Sequence, residues 1–387
     1  MSDPGTSGSG DDRHGRRQVT RMMFAAQGET LDECQIDCVP DDGWHAAMGA
    51  FADVHYEQTA IYGSGQRGER SSHILLRRES TPVAGARIGL YLVPYLGRGM
   101  ALVRFAPFWR PFDVAPDPGR YRTVVGALVD EYCRRRKLYL VLRPRPHPDF
   151  YPIEAQILTE MGLTDSKSSM LDRYFVDASL DEAEQQKSLD QRWRYNLRKG
   201  LAHGLDVRIG DAPADIKTFQ DVYAEMVRRK NLNYPGVDLP ASIPDLMRLP
   251  ERMKMRIALA YHGGKPIGGI AFSVVGDLAY YVFGATSDEA TTLNAGYVLQ
   301  WHVMRWLREN TKVRWYELGG PGDPGIRQFK KGLAGKRGVL LAVREFHYCP
   351  DVTARVVVGG LFALRDARNR IQRWQRERRP SEGRRSN

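Results

Sequence analysis

Two lysines in a glycine-rich setting are the first residues with the means to do chemistry. Lys330 and Lys331, in Phe329-Lys330-Lys331-Gly332, follow the run Gly319-Gly320-Pro321-Gly322 and Gly325. Glycines let a backbone approach a ligand closely, and a cation behind them suits a group that develops negative charge. A mobile loop with solvated lysines fits the same pattern. Arg228 and Arg229 end the helical stretch Phe219–Lys230. A guanidinium fork grips phosphate well, although a helix C-terminus also favours any cation through its dipole. A second glycine-rich run, Gly63-Ser64-Gly65-Gln66-Arg67-Gly68, carries Arg67 and is followed by Arg70. It suits an anion or is a flexible surface loop. Arg192, Arg194, Arg198 and Lys199 recur on one helix face, which reads as a phosphate contact or a solvated face. The four cysteines, Cys34, Cys38, Cys133 and Cys349, form no CxxC pair and no disulfide scaffold. Cys34 and Cys38 could share a helix face, but no nearby histidine completes a metal site, so none is expected.

The elements that must position these residues follow from periodicity. Asp41–Thr59 places Trp44, Met48, Phe51 and Val54 at helical spacing. His73–Arg78 and Val83–Leu92 alternate and form a hairpin across Glu79–Pro82. Ala101–Phe105 is a third strand, Tyr121–Arg136 a helix, Leu138–Leu142 a strand, Ile153–Met161 a helix and Arg173–Val176 a strand. Asp177–Arg194 reads as a charged helix running into Tyr195–Gly200. The order then repeats: helix Phe219–Lys230; strands Arg256–Tyr261, Pro266–Val275 and Leu278–Gly284; helix Tyr297–Asn310; strands Trp315–Leu318 and Gly338–Phe346. Repetition on this scale argues for a duplicated domain. A meander followed by helix and strand resembles the order of the GNAT acyltransferase fold, here in tandem: an α/β class with mixed sheets flanked by helices.

Bulk properties bound the functions. A chain of 387 residues suggests two domains. Composition is that of a soluble globular protein, with no apolar run long enough to span a bilayer and no secretory h-region near the N-terminus. The formal net charge of +11 favours polyanionic partners. From Arg365 to Asn387 nine arginines face three acids, so over half the surplus lies in that tail. Its amphipathic basic pattern suits a tRNA backbone, an anionic membrane face, or a solvated, frayed helix.

A family resemblance joins these pieces. Arg192–Arg208, Tyr280-Tyr281-Val282-Phe283-Gly284-Ala285, Asn294–Trp301, Tyr316-Glu317-Leu318-Gly319-Gly320 and Phe329-Lys330-Lys331-Gly332 resemble, in order, segments of the Fem-type aminoacyltransferases. The resemblance covers roughly Tyr174–Tyr348 well and the first half more loosely. It implies two GNAT-like domains without a coiled-coil arm. The expected divisions are a disordered lead-in at 1–20, a first, acceptor-side domain at 21–176, a second domain at 177–342, and a segment at 343–387 that returns to the first domain with the basic tail.

The implied chemistry is amide formation. An amine on a cell-wall peptidoglycan precursor, or on a natural-product or antibiotic intermediate, attacks the ester of an aminoacyl-tRNA, with no covalent enzyme intermediate, cofactor or metal. The resemblance makes Lys330 the leading catalytic cation and Asp113, in the loop from Pro107, a proton acceptor, although Phe108, Trp109 and Arg110 depart from the family's loop. Arg229, Arg228, Tyr281, Phe283, Arg67 and Gln58 are the implied acceptor-binding residues. Lys331, Lys336, Arg337, Arg198 and Lys199 are those expected to hold tRNA. The strand period puts Tyr280 and Tyr281 on opposite faces, so only one can line a cleft. The expected location is cytoplasmic, with possible peripheral contact at the inner membrane face through the tail.

Two rivals stand beside this reading. An acyl-CoA-dependent N-acyltransferase needs a pyrophosphate loop at a helix N-terminus, and Thr291–Tyr297 has no Arg or Gln at its start. A non-catalytic RNA-binding protein on the same scaffold would keep the basic surface without needing Lys330.

Overall fold

The computed structural model describes residues 22–24, 32–64, 69–232, 243–320 and 322–377. The lead-in, Arg67 and residues 378–387 lie outside them.

The first half runs β1 (Met22–Phe24), β2 (Asp32–Ile36), α1 (Asp41–Met48), α2 (Ala60–Ser64), β3 (Arg70–Arg78), β4 (Thr81–Val93), β5 (Arg98–Arg104), α3 (Pro118–Leu128), β6 (Tyr139–Arg143), α4 (Tyr151–Glu160) and β7 (Thr164–Asp177). The second runs α5 (Glu182–Ser188), α6 (Gln191–Ala202), β8 (Asp206–Gly210), α7 (Pro213–Arg229), α8 (Ile243–Leu246), β9 (Met255–His262), β10 (Lys265–Val275), β11 (Leu278–Thr286), α9 (Asp288–Thr292), α10 (Ala295–Asn310), β12 (Trp315–Glu317), α11 (Pro324–Ala334), β13 (Val339–Tyr348) and α12 (Val352–Glu377).

All thirteen described strands join one sheet, in the order β1-β2-β3-β4-β5-β6-β13-β7-β12-β11-β10-β9-β8. Each half has an antiparallel meander that ends in a parallel pair, β5 with β6 and β11 with β12. A helix bridges each pair, as a parallel connection requires. The last strands are exchanged: β7 lies beside β12 of the second half, and β13 lies beside β6 of the first. β7 and β13 also pair with each other, so the two halves share one continuous hydrogen-bonded seam.

Three apolar clusters fill the layers. One lies under α3 and α4 of the first half. One lies between α1, α7 and the strands β9–β11. The third lies under α6 and α10 on the other face of the second half.

The structure corrects several local readings. The first helix stops at Met48 instead of Thr59. Ala50 and Ala52 turn to bond with Phe112 and Arg110, and Phe51 makes a β-bridge to Pro111, so tertiary pairing overrides the helical spacing. Cys34 lies in β2 and shares no helix face with Cys38. The helix Tyr121–Arg136 is α3 followed by a π-helical stretch, Val129–Arg135. The charged linker is two helices with a break at Leu189–Asp190, where Leu189 is buried and the Asp190 N–H bonds to the carbonyl of Gly332. The glycine-flanked Lys330 segment is a helix, α11. Its signals were in the sequence: Asp323 accepts from the Ile326 N–H at 2.9 Å, Pro324 opens the first turn, and Gly335 closes it at φ +62°.

The hairpin turn Gly276-Asp277 docks the second half onto the first. Gly276 has φ +65°, and a Cβ there would meet the Ala52 carbonyl oxygen at 2.1 Å, so only glycine fits. The Asp277 carboxylate receives Arg110 Nη1 at 2.9 Å and Arg145 Nη2 at 2.6 Å, with His147 Nε2 3.5 Å away. These cations hold its carboxyl down to about 2, against the opposing effect of burial. Among the described residues, no helix is long and apolar enough to cross a membrane.

Candidate active site

A cavity of about 360 Å³ opens between β11, β12, α10 and α11. It is lined by Tyr281, Thr286, Thr291, Tyr297, Gln300, Leu318, Gly325, Ile326, Phe329 and Lys330. Three helices meet at its wall through an aromatic cluster, with Trp193 of α6, Tyr297 of α10 and Phe329 of α11 in mutual ring contact. Asn196 donates to the Tyr297 hydroxyl at 2.9 Å and fixes that ring.

Lys330 enters from α11. Its neighbours Gly332, Leu333 and Ala334 are buried with it, while Lys331 points to water. Only 8% of Lys330 is exposed. Its ammonium donates to the Gly320 carbonyl and lies 5.8 Å from the centre of the Tyr281 ring, within cation–π range. Burial lowers its pKa to about 8; Arg173 pushes the same way and Glu317 opposes. Lys330 is thus a cation near neutrality that loses its proton easily.

The charged neighbours form a second layer. Arg173 Nη1 donates to Glu317 Oε1 at 2.9 Å. Glu317 is 2% exposed, and the Arg173 guanidinium stacks 5.1 Å over Phe105 of the first half. The same pair influences Glu57. Burial raises the Glu57 carboxyl to about 7, against the pull of Arg104, Arg173 and Arg143 and with a contribution from Glu317. The Arg173–Glu317 pair is therefore a charged neighbour common to Lys330 in the second half and Glu57 in the first.

A β-bulge in β11 decides which aromatic reaches the cavity. Ala271 pairs with Phe283 but Phe272 pairs with Tyr281, leaving Val282 as the extra residue. Without the bulge, Tyr281 and Phe283 would share a face. With it, Tyr281 lines the cavity, and Phe283 turns to the opposite layer against Tyr223. Tyr280 also faces away, receiving Arg145 Nε at 2.8 Å and contacting His55 and Tyr56 at the seam.

The other expected site residues are placed as follows. Gln58 is buried at 1% exposure; its amide bonds the N–H and C=O of Arg87 and the carbonyl of Arg104, which leaves it no ligand to reach. The Gln58 reading is therefore replaced by a structural one. Asp113 is exposed, and its neighbour Phe112 lines a different cavity, of about 710 Å³, that shares no residue with the first. Arg229 pairs with Asp288 and donates to the Thr286 carbonyl at 2.6 Å, beside a residue of the Lys330 cavity. Arg228 is exposed one position earlier. Arg198 and Lys199 are exposed and flank the Tyr195 ring at 5.9 and 5.4 Å. Lys331, Lys336 and Arg337 are exposed on and just after α11, which packs on α6. Arg194, grouped by spacing with Arg192, Arg198 and Lys199, instead caps α5 by donating to the Lys187 and Leu189 carbonyls.

Sequence reasoning missed Arg173 and Glu57 and gave Glu317 no role. Arg173 and Glu317 meet because β7 lies beside β12 through the strand exchange, and Glu57 sits in the short turn Tyr56–Gln58, so no local spacing marked the three as neighbours.

Comparison with known proteins agrees with this geometry. Residues 187–331 match the family described as "Acetyltransferase (GNAT) domain", which gives the second half an acyltransferase-type domain. Sequence comparison with curated proteins finds no match. Among solved structures, the chain is similar to FemX at 15% identity and a TM-score of 0.67, covering 84% of this chain and 99% of that one. It is also similar to the C-terminal domain of a putative lysylphosphatidylglycerol synthetase from Agrobacterium fabrum, at 14% identity and a TM-score of 0.54, covering 84% and 98%. L-PGS from Bacillus licheniformis, at 12% identity and a TM-score of 0.54, covers 84% and 96%. The fold is therefore a tandem GNAT-like α/β architecture. Its arrangement is Fem-like, the two units joined in one sheet as described above.

Proposed function

We propose that the protein transfers an aminoacyl group from aminoacyl-tRNA to an amine, forming an amide bond without a covalent enzyme intermediate. The observation that carries this reading is the buried ammonium of Lys330 in a cavity walled by Tyr281, Tyr297 and Phe329. Support comes from the fold shared with FemX and with a protein whose name, putative lysylphosphatidylglycerol synthetase, records a lysyl group joined to a lipid.

The acceptor nitrogen attacks the ester carbonyl carbon. A C–N bond forms, and the carbonyl electron pair moves to oxygen. Protonated Lys330 stabilises that oxyanion, as a preorganised cation in a site of low dielectric does best. Its contact with Gly320 and the Tyr281 ring hold the ammonium in place. Collapse breaks the bond to the terminal ribose oxygen, which leaves with its electron pair and takes a proton. We assign transfer of the amine's proton to Glu57 instead of Asp113, because Glu57 shares the Arg173–Glu317 pair as a neighbour with Lys330, whereas Asp113 adjoins a different cavity, and a carboxyl near 7 can accept and return a proton at neutral pH. Holding both reactants together supplies much of the acceleration, up to roughly 7–11 kcal/mol. Arg198, Lys199, Lys331, Lys336 and Arg337 are the residues we assign to tRNA phosphates, and Arg228 and Arg229 to the acceptor. The acceptor class is a peptidoglycan precursor or a natural-product amine, and the reaction is placed in the cytoplasm with the charged tRNA. Incubation with total charged tRNA and both acceptor classes, read by product mass, tests the proposal; no mass increase matching an amino-acid residue on either class overturns it.

The match of residues 187–331 to the acetyltransferase family favours one second reading, acyl transfer from acyl-CoA. Calorimetric titration with acetyl-CoA separates the two: saturable heat supports this second reading, and none supports the first.

A further inference from the structure

We propose that the tip of the β4–β5 hairpin and the outer face of α12, which packs on β5 and β6 of the first half, dock together on an anionic membrane surface. The inference is independent of the reaction assigned above.

The hairpin tip is built against ordinary rules for a turn in water. Leu92 is 41% exposed, Leu96 54%, and Tyr95 stands fully in solvent. Tyr95 sits at φ +64°, a region that bulky residues seldom occupy. A large aromatic held wholly in solvent on a strained backbone is what a membrane-interface anchor looks like, since its ring and hydroxyl match the boundary between acyl chains and headgroups.

The helix beside it is apolar on two faces. Ala354 and Val358 are buried inward, and Phe362 packs edge-on against Tyr139 at 5.9 Å and His347 at 6.2 Å. The opposite face carries Val352 and Val356, 70 and 69% exposed, followed by exposed Gly359, Gly360 and Ala363. An amphipathic helix has one apolar face when it only covers a core, so the second calls for a partner.

The tip and the helix start at the same place. Arg98, at the base of the hairpin, donates to Asp351 at 3.2 Å, and Asp351 accepts from the Ala354 N–H to cap α12. Around these apolar groups stand Arg98, Lys137 and Arg355, with Arg134 on the adjoining turn; the acids Asp351 and Asp130 are paired with Arg98 and Arg134. Along α12 itself the sequence holds six arginines against two acids. Positive charge beside apolar protrusions complements anionic headgroups over acyl chains. A nucleic-acid backbone would use the charge and leave Tyr95, Leu96, Val352 and Val356 without a role.

Co-sedimentation of the full chain with phosphatidylglycerol–phosphatidylcholine vesicles, against pure phosphatidylcholine, tests the proposal. The expected result is binding to the anionic vesicles that weakens with salt, and little to the neutral ones. The tip variant Tyr95→Asp/Leu96→Asp and the helix variant Val352→Asp/Val356→Asp should each lower that binding roughly tenfold with far-UV circular dichroism and tRNA affinity unchanged. Vesicle binding equal to the parent chain in both variants overturns the proposal. So does a concentration-dependent dimer that Val356→Asp dissolves while vesicle binding is unaltered, because the face would then belong to a second copy. Loss of tRNA affinity in the same variants, with vesicle binding retained, also overturns it.

Discussion

The hydroxyl of Tyr281 lies over Gly284, three residues on in the same strand: a Cβ built on Gly284 would stand 2.0 Å from it. The missing side chain is what lets the tyrosine fold along β11 and bring its ring to 5.8 Å from the Lys330 ammonium. One glycine thus sets the position of the ring that faces the cation.

Gly284→Ala is expected to push the tyrosine out of place and lower kcat/KM by up to about 10²-fold, the scale of a group misplaced by about 1 Å. Because Tyr281→Phe removes the clashing oxygen, adding Gly284→Ala to it should cost less than Gly284→Ala alone. A double-mutant cycle on kcat/KM measures this coupling; strict additivity would show that the two residues act apart.

Lys330→Met should cut turnover by about 10²-fold or more, the usual effect of deleting an oxyanion stabiliser. The fold should not suffer. Burial depresses the lysine pKa from 10.5 to about 8, so the unfolded chain binds more protons between those values, and stability rises as pH climbs through that window. Below it, the folded state carries an unfavourable buried charge on the order of 1–3 kcal/mol. The Met variant should therefore melt at the same temperature as the parent chain or higher at pH 7, measured by calorimetry. A large fall in Tm with no loss of turnover would make Lys330 structural.

The pH profile of kcat/KM should be a narrow bell. Glu57 must lose its proton to accept one, so activity rises through about 7; Lys330 must keep its proton, so activity falls above about 8. Glu57→Gln should remove the acidic limb. Glu317 raises both groups, and Glu317→Gln should move both limbs to lower pH. A profile whose limbs ignore both substitutions would rule out these assignments.

Asp277→Asn should destabilise the fold by about 3–5 kcal/mol, because it leaves Arg110 and Arg145 buried without their shared carboxylate. The Asp277 carboxyl is held at about 2, below its unfolded value, so its contribution is present above the unfolded pKa and is lost as pH falls toward 2. Urea unfolding at pH 7 and pH 3 should show the variant's deficit shrinking at the lower pH.

Charge reversal at Arg198 and Lys199 should weaken tRNA binding and make it less salt-sensitive. Removing two phosphate contacts should reduce the slope of log K against log salt by about 1–2. An unchanged slope would leave Tyr195 and its two cations as a solvated face.

The sequence by itself determined the repeated order of strands and helices, because apolar spacing is local and each half obeys it. It also carried the segment holding Lys330, whose flanking Asp-Pro and Gly mark a helix. Only the tertiary structure decided what that lysine meets. The exchange of β7 and β13 between halves joins residues more than a hundred positions apart, which no local period records. The bulge at Val282 turns Phe283 away from the face of Tyr281, reversing what strict alternation dictates. Gln58, polar in sequence, satisfies backbone groups in the first half's interior, and Glu57 beside it acquires its high pKa from burial. Those outcomes depend on solvent exclusion and long-range pairing, quantities that exist only once the chain has folded.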